Sequence, residues 1–251
     1  MKQKLLALIL LSFSISLFAQ PQKVAIENTE KGMKLMVNNQ GFMVNGINWD
    51  YFPIGTNYSY SLWTQSDEFI KQALDDEMSL LKNMNVNAIR VYTGIQPKWI
   101  TYIYEKYGIY TMLNHSFGRY GLTLDGAWEG NTDYSDPRVK ELLLKEVTGL
   151  VQEYKDTPGL LLYLLGNENN YGVASNADKK PEAYFKFVNE VAKMIKAIDP
   201  NHPVAICNGD TLYLDIFAKY APDVDMFGGN LYRGDYGFGS YWEQVAGAAD
   251  R

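Results

Sequence analysis

Leu160-Leu161-Leu162-Tyr163-Leu164-Leu165 runs directly into Gly166-Asn167-Glu168-Asn169. Strands of a sheet with one wet face alternate apolar and polar residues, and this run does not. It reads as a strand buried on both faces, as parallel sheets require. Gly166 ends the run, and an amide and a carboxylate follow at once. A carboxylate set against six apolar side chains is costly unless the strand emerges at a solvated cleft. The segment therefore asks for a parallel sheet, with Glu168 at the carboxyl end of one of its strands.

Working outward, strand signals centre near residues 47, 89, 111, 162, 205 and 226. Helical segments follow each of them. Ser66 is a candidate N-cap for a helix reaching Asn83, with Ile70, Leu74, Met78 and Leu81 on one face. Pro97 to Tyr107 is a short helix. Asp136-Pro137 opens another with a cap and a first-turn proline, burying Val139, Leu143, Val147, Leu150 and Tyr154. Pro181 opens a helix with Tyr184, Val188, Val191, Ile195 and Ile198 inward. Thr211 to Tyr220 is a short helix, and a last one starts at Tyr241. Asn114 to Ser135 reads as a long Gly-rich loop. Repeated βα units mean a parallel sheet covered by helices. An open nucleotide-binding sheet would carry a Gly-rich turn after its first strand. Here that strand ends in the bulky Asn48-Trp49-Asp50-Tyr51-Phe52-Pro53. The predicted fold class is thus α/β, a (β/α)8 TIM barrel with about six of eight βα units present. A short β-hairpin precedes it, formed by Met33 to Val37 and Phe42 to Asn45 around Asn38-Asn39-Gln40-Gly41.

Composition narrows the function. At 47% hydrophobic and 21% charged, the 251-residue chain is globular, so wholesale disorder is excluded. A net charge of -6 disfavours nucleic acid as a partner, because phosphate binding needs a basic footprint. Cys207 is the sole cysteine, so no internal disulfide is expected, and two histidines give no basis for a metal centre or another cofactor. Tyr, Phe and Trp make up 14% of the chain; aromatics serve both core packing and sugar contact. At the start, Lys2 and Lys4 precede the apolar run Leu5 to Phe18, which ends at Ala19-Gln20. This is the pattern of a signal peptide, residues 1–19, cleaved after Ala19. The run is too short to span a bilayer. The expected location is secreted or periplasmic. Residues 20–32 form a polar lead-in, and 33–251 form the barrel.

Barrel sites lie at the carboxyl ends of the strands. Those ends are Asn48-Trp49-Asp50, Arg90-Tyr92, Asn114-His115, Asn167-Glu168-Asn169, Asn208-Asp210 and Asn230-Tyr232. Amides, carboxylates and phenols dominate, and such groups bind hydroxyls. The succession of strand, Gly166-Asn167-Glu168 and helix resembles the fourth barrel strand of clan A glycoside hydrolases, most closely the catalytic barrel of family 2 and also family 5. Ala88-Ile89-Arg90-Val91-Tyr92 and Gly229-Asn230-Leu231-Tyr232-Arg233 extend the resemblance, which covers residues 33 to 251. It implies that Glu168 is the acid/base and that Asn167 contacts the sugar 2-hydroxyl. It further implies that Arg90 supports the nucleophile, Tyr232 hydrogen-bonds it, and Asn230 belongs to the same sugar-binding segment. His115 could line the sugar site, as a histidine does in parts of the clan, or hold structure. Asp50 fits substrate binding or loop capping. Trp49 fits sugar stacking or packing.

In this clan the nucleophile is a glutamate ending the seventh strand. Glu182 and Glu190 fall on a helix far from the mouth, and Glu243 does not end a seventh strand. The resemblance therefore places the nucleophile beyond Arg251. The expected function is a secreted glycosidase that cleaves O-glycosidic bonds of a β-linked oligo- or polysaccharide by a retaining two-carboxylate mechanism. A transglycosylase on the same scaffold would use the same residues with a sugar acceptor. A non-catalytic glycan-binding barrel would keep the aromatic platforms but would not need Glu168.

Overall fold

The computed structural model describes residues 20–30, 32–92, 94–234 and 237–248. The expected signal peptide, 1–19, lies outside the described residues. Four strands precede the first helix: β1 (Val24–Thr29), β2 (Gly32–Val37), β3 (Gln40–Gly41) and β4 (Gly46–Asn48). Then come α1 (Asp67–Asn83), β5 (Ala88–Val91), α2 (Pro97–Tyr107), β6 (Tyr110–His115), β7 (Leu122–Leu124), β8 (Ala127–Glu129) and α3 (Pro137–Tyr154). The chain continues through β9 (Leu160–Leu165), α4 (Pro181–Ile198), β10 (Val204–Gly209), α5 (Leu214–Tyr220), β11 (Met226–Asn230) and α6 (Gly239–Ala248).

Six strands form one parallel sheet in the order β4-β5-β6-β9-β10-β11. Each is followed by a helix, so the predicted succession of βα units is present, and the sheet curls as part of a barrel wall. The caps sit where the sequence predicts. Ser66 Oγ accepts from the Phe69 amide and Asp136 Oδ1 from the Arg138 amide, each satisfying a first-turn donor.

Alternation along the strands sorts side chains to two sides. Ile89, Val91, Leu113, Tyr163, Leu165, Val204 and Ile206 pack among the helices. Ala88, Met112, Leu162, Leu164, Ala205 and Cys207 gather on the concave side. That inner cluster also contains Val24, Leu35 and Val37 from β1 and β2. The small antiparallel sheet β1-β2-β3 is joined to the loops entering β9 and β10: Gly159 N–H donates to Gln22 Oε1 and Val24 N–H to the Asn201 carbonyl. It therefore plugs the amino-terminal end of the barrel and leaves the carboxyl end open.

Two local readings change. The predicted hairpin exists, but its second arm is Gln40–Gly41 rather than Phe42 to Asn45. Asn38 and Asn39 both take positive φ, the geometry of a tight two-residue turn, so pairing begins immediately after them. The polar lead-in supplies β1, which pairs with the whole of β2. The stretch read as a Gly-rich loop contains the β7–β8 hairpin, turned at Asp125-Gly126, where both residues again have positive φ. Among the described residues no helix is long and apolar enough to cross a membrane.

Candidate active site

The carboxyl ends of β5, β9, β10 and β11 converge on one closed circuit of hydrogen bonds. It begins at Arg90, only 5% exposed on the inner face of β5. Its Nη2 donates to Asn167 Oδ1 at 3.1 Å and its Nη1 to Cys207 Sγ at 3.1 Å. Cys207 Sγ in turn lies 2.9 Å from Asn230 Oδ1, and Asn230 Nδ2 lies 3.2 Å from Asn167 Oδ1. Asn230 Nδ2 also donates to Glu168 Oε1 at 2.8 Å. Outside the circuit, Arg90 Nε and Nη2 both bond Asn114 Oδ1, at 2.9 and 2.6 Å, and its guanidinium lies 4.7 Å from the Tyr92 ring centroid. Among the described residues, every hydrogen bond of this buried cation goes to a neutral group.

The backbone after β9 is shaped to present Glu168. Gly166 has φ +79, and a Cβ there would sit 2.4 Å from Asn169 Oδ1, so the approach requires glycine. Asn169 is buried and accepts from Asn167 N–H at 2.7 Å, while its Nδ2 donates to the Phe117 carbonyl and Tyr134 Oη. Glu168 itself takes φ +57, sparsely populated for a residue with a Cβ, and its amide donates to the Cys207 carbonyl at 2.7 Å. Asn170 clamps the turn to β10 by exchanging two bonds with the Gly209 backbone. Arg119 holds the other side, with Nε on the Asn167 carbonyl at 2.6 Å. A half-buried carboxylate is thereby fixed beside the Asn167 and Asn230 amides.

Residues 29–236 match the family described as glycosyl hydrolases family 2, TIM barrel domain. The chain belongs to this family. It is 25% identical over 228 residues to a β-galactosidase of Leuconostoc mesenteroides, a match covering 86% of this chain and 19% of that protein. The fold is similar to a β-glucuronidase of Parabacteroides merdae (TM-score 0.62, 18% identity, 91% of this chain and 26% of that one). It is also similar to a family 2 β-galacturonidase of Eisenbergiella tayi (TM-score 0.59, 12% identity, 91% and 36%). The chain spans well under half the length of each.

Within this family 2 barrel, Glu168, Asn167, Arg90 and Asn230 come together as described. Tyr232, 87% exposed, follows β11 and has no hydrogen bond to the circuit among the described residues. His115, Trp49 and Asp50 do not join it. His115 ends β6 with the parity of Leu113, so it turns toward α3, where its Nε2 lies 3.6 Å from Glu146 Oε2 and its Nδ1 accepts from the Phe117 amide. Burial holds its pKa down at about 4. Trp49, 5% exposed, packs edge-on against Trp63 in the helical layer. Asp50 is exposed and accepts from the Tyr51 amide, a loop-capping geometry.

The structure adds Asn114, Cys207 and Arg119, which sequence reasoning did not select. Alternation pointed to Asn114: it shares the inward parity of Met112, one residue before His115. Asp210, at the end of β10, is held below the usual carboxylate range by a bidentate pair with Arg233. Among the described residues no His, Cys, Asp and Glu side chains form a metal-binding group.

Proposed function

We propose that the protein is a secreted or periplasmic glycosidase that cleaves O-glycosidic bonds of a β-linked oligo- or polysaccharide with retention, using Glu168 as acid/base. The observation that carries this reading is Arg90. A buried guanidinium bonded only to neutral groups is expensive, because buried charges are normally paired. It belongs to the same circuit that holds Glu168 through Asn230. A second carboxylate entering the open end would find a cation there, close to the first carboxylate. Retaining hydrolysis needs such a pair, with the carboxyl groups about 5 to 5.5 Å apart.

In this mechanism Glu168 protonates the leaving glycosidic oxygen while the second carboxylate attacks the anomeric carbon. Glu168 then removes a proton from water as water displaces the carboxylate. Asn167 and Asn230 orient the sugar and Glu168. The nucleophile would be a second carboxylate brought to the open end beside Arg90. The β-linkage is favoured by the relatives, a β-galactosidase, a β-glucuronidase and a β-galacturonidase. Export rests on Lys2, Lys4 and the apolar run that follows them.

The test is Glu168→Gln in the full-length protein, assayed on aryl β-glycosides with good and poor leaving groups. General acid/base catalysis contributes roughly 10²- to 10⁴-fold. The loss should be largest for poor leaving groups, which depend most on protonation. Equal rates for variant and wild type would end the assignment.

A further inference from the structure

Cys207 is the member of the circuit that no sequence pattern singled out. It stands on β10, inside the barrel, 9% exposed. The direction of every hydrogen bond around it is fixed by one residue. Arg90 can only donate, so Asn167 Oδ1 must accept from it. Asn230 approaches that same oxygen and Glu168 Oε1, both acceptors, so it must present its NH₂ to them. Its carbonyl oxygen is then turned to Cys207 Sγ, at 2.9 Å. Two acceptors cannot face each other there, so the thiol must donate. The sulfur meanwhile receives Arg90 Nη1.

From this we infer that Cys207 is a positioning residue for Glu168: its S–H donates to the Asn230 carbonyl and so reinforces, from the opposite side, the amide orientation that donates to the acid/base carboxylate. This role rests on the reading of Glu168 given above. The two amide faces of Asn230 differ only in which atom is N and which is O; Asn167 and Glu168 oppose a flip from one side and the thiol opposes it from the other. A flipped amide would set its oxygen against Glu168 Oε1 and Asn167 Oδ1. Burial pushes the Cys207 thiol up, against the pull of Arg90, which keeps the proton available for donation. Serine can repeat both functions, accepting from Arg90 and donating to Asn230. Valine keeps approximately the volume and loses both.

The experiment is solvent exchange of the Asn230 side-chain amide protons, followed by ¹H–¹⁵N NMR and assigned by the cross-peaks missing in Asn230→Ala. Wild type and Cys207→Ser should exchange slowly and alike. Cys207→Val should exchange about fivefold faster, the factor expected for one net hydrogen bond. If the valine variant does not fold, Cys207→Ala gives the same comparison. Wild-type exchange in the valine or alanine variant would overturn the inference. So would fast exchange in the serine variant, since the thiol would then act through packing. The measurement needs no turnover. It therefore fails or succeeds independently of the Glu168→Gln rates.

Discussion

Replacing Gly166 with alanine tests whether the turn after β9 is built as described. Two costs arise. Alanine at φ +79 enters the left-handed region, at about 1–2 kcal/mol. Its Cβ would also lie 2.4 Å from Asn169 Oδ1 and 2.8 Å from Asn169 Cγ, so the buried amide must move. Asn169 then gives up its bonds to Asn167 N–H, the Phe117 carbonyl and Tyr134 Oη, about 1 kcal/mol net each. The expected destabilisation is about 4–5 kcal/mol. For a domain of this size that lowers Tm by roughly 10–15 °C. Urea unfolding followed by tryptophan fluorescence would measure it. Asn169→Ala alone should cost about 3 kcal/mol, because it loses the same bonds without backbone strain. The double variant should cost about what Gly166→Ala costs alone, since the side chain that clashes is gone. The coupling between the two sites is then about 3 kcal/mol. Additive effects, or a Gly166→Ala cost below about 1 kcal/mol, would refute the argument that Asn169 is what the glycine makes room for.

Other consequences follow from the same geometry. His115 is partly buried, with a folded pKa of about 4 against about 6.5 when unfolded, so its stabilisation is complete above pH 6.5 and is lost as pH falls toward 4. The loss is at most about 3 kcal/mol, reduced by Glu146 nearby; His115→Gln should flatten that limb of the stability–pH curve without raising KM. Asp199 is buried, yet bonds from His202 and Tyr163 hold its carboxyl below the usual range, so its contribution is present at neutral pH and disappears on acidification through the folded pKa. Asp199→Ala should therefore destabilise at pH 7 far more than at pH 2.5, as calorimetry would show. Trp49→Ala should cost about 3–5 kcal/mol of stability by emptying the Trp63 contact. Tyr232→Ala, at an exposed position, should leave Tm within about 2 °C and weaken glycan binding measured by calorimetry.

The parts of this molecule readable from sequence are those decided by nearest neighbours along the chain. Leu160 to Leu165 reads as an interior strand, and Ser66 and Asp136-Pro137 announce helix starts that the structure places at those residues. Glu168 followed from the same logic, because a carboxylate abutting that strand had to reach solvent. His115 stands outside the circuit for a reason of parity. Asn114 and His115 are adjacent, but a strand sends them to opposite faces, so only one of the pair can point into the barrel. Met112, apolar and two residues before Asn114, lies on the inner side, and Leu113 marks the outer one. Counting by twos from either would have chosen Asn114. Trp49 likewise lies in the helical layer beside Trp63, where bulk is wanted for packing.

Cys207 had no such signal. In Val204-Ala205-Ile206-Cys207 it passes for one more small apolar residue, and its partner Arg90 is 117 positions away. Its role exists only once the sheet has brought β5 and β10 to the same inner face. The direction of the bonds then comes from valence rather than from distance. A guanidinium that cannot accept sets Asn167, Asn167 sets Asn230, and Asn230 leaves the thiol no choice but to donate. The same polarity bears on Arg90 itself. Its donors are spent on an asparagine pair and a thiol, none of which carries charge, while the low-dielectric interior makes an unpaired cation costly. A carboxylate arriving at the open end would therefore be stabilised by a cation already fixed in place, without reorganisation. Arg90→Met should accordingly be far less damaging to folding than to turnover, whereas a purely structural arginine would show the reverse ratio.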